Sequence, residues 1–170
     1  MPIYALGDVE PTIDPTAFVH PDAVVIGDVR IGPESSVWPN AVLRGDTGYI
    51  EIGARTSIQD GTVIHCTHRE PTVIGDDCTV GHLAHLEGCR VGRLTLIGSG
   101  SVVLNGASVG DEALVAAGAL VGPGKEVPSG HRAIGVPARI SELVEHQHAR
   151  QAASYVAKAR RYRDELRRLD

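Results

Sequence analysis

The chain has 170 residues, 42% of them hydrophobic but only 4% aromatic, and a formal net charge of −5. That length suits one domain with its own core, and the acidic balance argues against a phosphate-binding basic face, so no nucleic-acid partner is expected. No basic-then-apolar leader and no apolar run of membrane-spanning length are read, so no membrane association is expected and the cytoplasm is the expected location. Cys66, Cys78 and Cys89 form no CxxC pair and read as small buried thiols of a reducing compartment.

In chain order, the first predicted elements share one period. Ile13, Val19, Val25, Ile31, Val37 and Leu43 fall six residues apart. After a longer step Ile52, Ile58 and Ile64 resume it, then Ile74, Val80 and Leu86. A five-residue step leads into the longest run: Val91, Ile97, Val103, Val109, Val115, Val121 and Val127. A period of six fits neither a helix nor ordinary alternating hairpins. It fits an all-β solenoid in which each hexad makes one short strand and one corner, and three hexads close a triangular coil. Small residues four places later, such as Ala17, Ala23, Ser35, Ala41, Cys78, Ala84, Ser101, Ala107 and Ala119, are expected to share the narrow interior.

Two steps are too long. Leu43 to Ile52 is nine residues and Ile64 to Ile74 is ten, so three and four extra residues are expected to leave the prism as loops. The first holds Arg44, Gly45 and Asp46; the second begins at His65 and ends at Pro71. The solenoid is expected to stop near Gly130, with GVPAR (135–139) as its exit, which makes residues 1–140 the β-helix domain. Over 141–170, Ala152, Tyr155, Ala159, Tyr162, Leu166 and Leu169 form the stripe of an amphipathic helix, packed on the solenoid or a neighbouring subunit. Ser141 is its expected N-cap, and Arg150, Lys158, Arg160, Arg161, Arg163, Arg167 and Arg168 its solvated face.

Neighbours of an inward residue point outward. His65 follows Ile64 and Glu87 follows Leu86, so both point out. They are 22 residues apart, three hexads plus the four-residue insertion. They therefore occupy equivalent positions one coil apart, roughly 4.8 Å along the axis. His85, before Leu86, points from the same face. His82 follows Val80-Gly81 on the adjacent face and is not expected to meet His65 within one chain. Identical prisms about a threefold axis would bring it to His65 of the next copy.

SVWPNAVLRGD (36–46), SIQDGTVIH (57–65), VGH (80–82) and GVPA (135–138) resemble the γ-class carbonic anhydrase family over almost the whole chain. The resemblance implies a left-handed parallel β-helix with a C-terminal helix. It also implies a homotrimeric lyase, a carbonic anhydrase that converts CO2 to bicarbonate with a metal-bound hydroxide at sites between subunits. The metal would be Zn2+, or Fe2+ or Co2+, on three histidines, two from one chain and one from its neighbour. His65 and His82 match the first two. The third, five residues after the "GH" histidine, is Glu87 here.

Three outcomes are open. Glu87 is the third ligand, since two histidines and a carboxylate bind zinc in catalytic sites; His85 takes over; or the metal is lost and a trimeric scaffold remains. By match, Gln59 resembles the residue that hydrogen-bonds the hydroxide or CO2. Arg44 and Asp60 resemble a pair bridging subunits, Asp46 a carboxylate of the same network, and Tyr155 a residue closing the pocket. The plainer readings are corner hydrogen bonding and trimer assembly for Arg44, Asp46 and Asp60, and helix packing for Tyr155. His68 or Glu70 could shuttle protons; His20, His131, His146 and His148 match nothing. The competing enzymatic class is hexapeptide-repeat acyl transfer or thioester hydrolysis.

Overall fold

Three ladders of aliphatic side chains fill a left-handed parallel β-helix of about seven coils. The structure, a computed structural model, describes residues 2–142 and 149–170. On the first face Leu43, Ile64, Leu86, Val103 and Val121 lie in register. On the second face Ile31, Ile52, Ile74, Val91, Val109 and Val127 do so. The third stacks Val19, Val37, Ile58, Val80, Ile97 and Val115. All are buried; only Ile13, at the open first coil, is half-buried. β-Branched side chains suit this pleated, narrow wall, and burying each Ile or Val contributes roughly 1.5–3 kcal/mol. The small residues four places on are buried with them, except half-buried Ala17.

The three cysteines are free and buried, and burial pushes the Cys78 and Cys89 thiols up to about 12. An aromatic disulfide reagent should therefore find no fast-reacting thiol in the native protein and three per chain after unfolding. Rapid native labelling would contradict this packing.

The first long step is not a loop. Val42–Ile52 is one eleven-residue strand, paired in parallel with Val24–Ile31 across a register shift between Gly27 and Val29. Both strands round the corner from the first face to the second without a break. These two faces thereby form one twelve-stranded sheet, while the third is a separate eight-stranded sheet. The extra residues are absorbed as a bulge, with Val29 and Ile50 buried beside the regular ladder. The close approach demands glycine. A Cβ on Gly45 would lie 2.4 Å from the Asp28 carbonyl oxygen, and one on Gly27 (φ +73°) 2.3 Å from that of Gly45. The second long step does leave the prism, as an irregular segment over residues 67–71 that follows buried Cys66.

The solenoid also runs past Gly130. Ala133 continues the third ladder below Val115, and His131–Ile134 then pairs antiparallel with Arg139–Glu142. Ser141 therefore lies in a strand, where its Oγ accepts from Arg132 Nε at 3.0 Å, and does not cap a helix. The pairing gives the last coil a partner for its edge. The helix spans Ala149–Glu165, and Leu169 lies beyond it, exposed. His146 and His148 lie outside the described residues.

Ala152 and Ala159 are the buried part of the helix stripe. The helix packs on the third face through Trp38, whose ring lies 5.6 Å from Phe18, 5.8 Å from Tyr155 and 5.1 Å from Tyr162. Trp38 Nε1 donates to Ser36 Oγ at 3.0 Å and Ser57 Oγ at 2.9 Å, so the only tryptophan is satisfied on the face it shields. Two of the supposedly solvated arginines tether the helix: Arg160 pairs with Glu34, and Arg163 donates to the Thr16 carbonyl. Among the described residues no helix is long and apolar enough to cross a membrane.

Candidate metal centre

Arg44, His65 and Glu87 occupy successive rungs of the first face. Their inward neighbours Leu43, Ile64 and Leu86 are fully buried, which fixes the outward direction of all three. The bulge after Gly45 brings Asp46 back over the middle rung. Its Oδ1 lies 2.8 Å from His65 Nε2, and its other oxygen accepts from Arg44 Nη1. Across the ring, Glu87 Oε1 lies 3.1 Å from His65 Nδ1, and Glu87 Oε2 lies 3.3 Å from His85 Nε2. Five side chains thus form one line: Arg44, Asp46, His65, Glu87, His85. The His65 side chain is only 17% exposed, so both its ring nitrogens depend on these partners. A neutral imidazole donates to only one of the two carboxylates at a time.

Burial alone pushes the Asp46 carboxyl up, but hydrogen bonds from His65 and Arg44 and the guanidinium charge outweigh it and hold it below its ordinary 3.8. Glu87 behaves alike: burial raises it, and the hydrogen bonds and charges of His65 and His85 bring it below 4.5. Carboxyls depressed in the folded state stabilise the protein above their unfolded values and lose that contribution as pH falls through the folded ones. Asp46→Asn should therefore unfold at lower urea concentration than wild type at pH 7, with the gap closing as pH falls below the ordinary carboxyl value of 3.8. A gap constant across that range would contradict the network.

Two threonines that drew no attention in the sequence brace the site. Thr72 Oγ1 donates to the His65 carbonyl oxygen and accepts from the Gly88 amide at 2.8 Å. Thr47 Oγ1 donates to the Cys66 carbonyl oxygen at 2.8 Å. The one available signal was parity: Thr72 precedes inward Ile74 by two residues and so shares its buried side.

The other matched residues lie elsewhere. His82 stands in the corner between the third and first faces, with Nδ1 3.0 Å from Asp60 Oδ2 and half of its side chain exposed. Asp60 thus pairs with His82, and Arg44 with Asp46, rather than with each other in this chain. Gln59 is buried beside the same corner, its backbone amide bonded to the Val80 carbonyl. Tyr155 packs on Trp38, with Lys158 Nζ 4.4 Å above its ring, which is helix packing on another face.

Residues 71–105 match the family described as bacterial transferase hexapeptide (six repeats). The chain is 46% identical over 138 residues to γ-carbonic anhydrase 1, mitochondrial, of Arabidopsis thaliana, covering 78% of this chain and 50% of that one. It thus spans half the length of that plant relative. It is 42% identical over 139 residues to the carnitine operon protein CaiE of Escherichia coli K12, covering 82% of this chain and 71% of CaiE. The chain belongs to the γ-carbonic anhydrase-like family of hexapeptide-repeat proteins. A solved hexapeptide transferase family protein from Anaplasma phagocytophilum superposes on this γ-carbonic anhydrase-like chain with a TM-score of 0.90 at 38% identity, over 95% of this chain and 98% of that one.

Do the residues of this family member fit a metal ion? Among the described residues of one chain, no three donors converge on a point. The donor chemistry nevertheless suits a zinc-type ion, because two imidazoles and a carboxylate are a catalytic zinc set. His82 carries the outer-shell arrangement such a ligand needs: Asp60 holds Nδ1, leaving Nε2 for an ion. His65 would keep one carboxylate partner and turn its other nitrogen to the ion.

A second outward column runs beside His65 on the first face. The outward residues that precede each inward aliphatic on the first face are Val24, Val42, Val63, His85, Val102 and Leu120, an apolar column broken by one imidazole. The matching column of the second face includes Arg30, Glu51, Arg90 and Glu126. The signal was present one residue before each hexad aliphatic.

Proposed function

We propose that this chain is the protomer of a homotrimeric, metal-dependent carbonic anhydrase-like lyase that interconverts CO2 and bicarbonate between neighbouring copies. The observation that carries the reading is the division of the donors. His82 and Asp60 project from one corner, while Asp46, His65, Glu87 and His85 lie on the first face within an apolar column. Threefold closure sets one copy's corner against the next copy's first face and covers that column.

In this assembly His65 and the neighbour's His82 hold Zn2+, Fe2+ or Co2+, with Glu87 or His85 as third ligand. Such an ion supplies Lewis acidity, which makes water a nucleophile near neutral pH. Asp46 orients the His65 ring and is itself held by Arg44. Asp60 orients the His82 ring. Gln59, at the same corner, offers an amide to an oxygen of CO2 or bicarbonate.

The test pairs metal analysis of the purified trimer with stopped-flow CO2 hydration. One ion per shared site and activity lost on chelation support the lyase. A metal-free trimer without hydration activity leaves only a scaffold. Acyl transfer is the second reading, favoured by the transferase description of the matched repeat family and of the Anaplasma neighbour. Turnover of acetyl-CoA without CO2 hydration would select it.

A further inference from the structure

We propose that His85 is a positioning residue that fixes Glu87 as the third metal ligand; this rests on the metal-dependent reading above. Register separates the two candidates. Glu87 lies directly across from His65, in the column that also holds Arg44. His85 lies across from Val63 and Val102, in the apolar column beside it. The donor aligned with His65 is therefore the carboxylate.

A glutamate here has a flexibility that an imidazole lacks, because it carries one more rotatable side-chain bond. The structure removes that freedom by engaging both oxygens. Oε1 faces His65 Nδ1 at 3.1 Å and Oε2 faces His85 Nε2 at 3.3 Å. The two residues are two apart on the strand His85–Glu87, so both project from the same side. The pairing also accounts for an imidazole among valines and a leucine. Its ring nitrogen there is satisfied by Glu87, which a residue of the column's usual type could not do. With Oε2 held by His85, Oε1 is the oxygen left to turn from His65 to an ion. Hydrogen-bonded carboxylate ligands of this kind are the normal outer-shell arrangement.

The experiment titrates Co2+ into metal-free trimer and follows its visible ligand-field absorption, independently of turnover. His85→Ala should weaken Co2+ binding about tenfold, and His85→Gln, which keeps a donor for Oε2, should restore it to within about threefold of wild type. In a Glu87→His background, His85→Ala should change affinity by less than about twofold, because the carboxylate it positions is gone. Loss of the Co2+ band on His85→Ala in both backgrounds would make His85 the ligand and overturn the proposal. Wild-type affinity in His85→Ala would overturn it as well. A wild-type trimer with no Co2+ band fails earlier and differently, by removing the metal reading itself.

Discussion

Neither His65→Ala nor His82→Ala should hydrate CO2 alone, yet the two refolded together at equal amounts should recover about a quarter of wild-type activity. In the proposed assembly each single variant removes a direct ligand, so its loss should exceed the roughly 10–100-fold typical of an outer-shell partner. Recovery follows from the geometry. His65 stands on the first face and His82 in the corner leading to it, with no ion pair or hydrogen bond joining them among the described residues. A site shared by two copies is intact wherever a chain with His65 is followed by one with His82. Random assembly gives that order at about one shared site in four, the product of two halves. A site built within one chain would recover nothing. Mixed trimers confirmed by mass yet inactive would sink the shared-site reading.

Ile64→Ala should cost about 2–5 kcal/mol, the range for a large aliphatic side chain removed from a fully buried position. Ile64 sits between Leu43 and Leu86 in the first ladder, on the same rung as His65. In a solenoid each coil touches only its neighbours, so a cavity there weakens the coupling between the two ends. Ile13→Ala, in the half-buried first coil, should cost less than half as much. Urea unfolding of both variants at one protein concentration decides this. Equal midpoint shifts would contradict a stability account built coil by coil.

Much of the scaffold was legible because one position per hexad has no alternative to a mid-sized aliphatic residue. From that phase alone, the adjacency of His65 and Glu87 and the separate direction of His82 follow, and both are seen. The first insertion was not legible. A nine-residue step from Leu43 to Ile52 looks like a loop unless Ile50 is recognised as a second buried residue of a bulged strand. That bulge is also why Asp46 reaches His65, which counting hexads could not show. The helix start was misplaced because residues 139–142 are held by backbone pairing with His131–Ile134, and such pairing leaves little mark in local hydrophobic pattern.

The two strands that turn a corner without interruption have a mechanical consequence. They make the early coils a stiff ribbon, whereas the coils beyond it are joined one short rung at a time. Asp46 belongs to the ribbon and Glu87 to a short rung beyond it, with the His65 ring bonded to one on each side. The imidazole is therefore a rivet across a seam. Any parting of the solenoid at that seam opens the rivet first, before the aliphatic interior on either side is wetted.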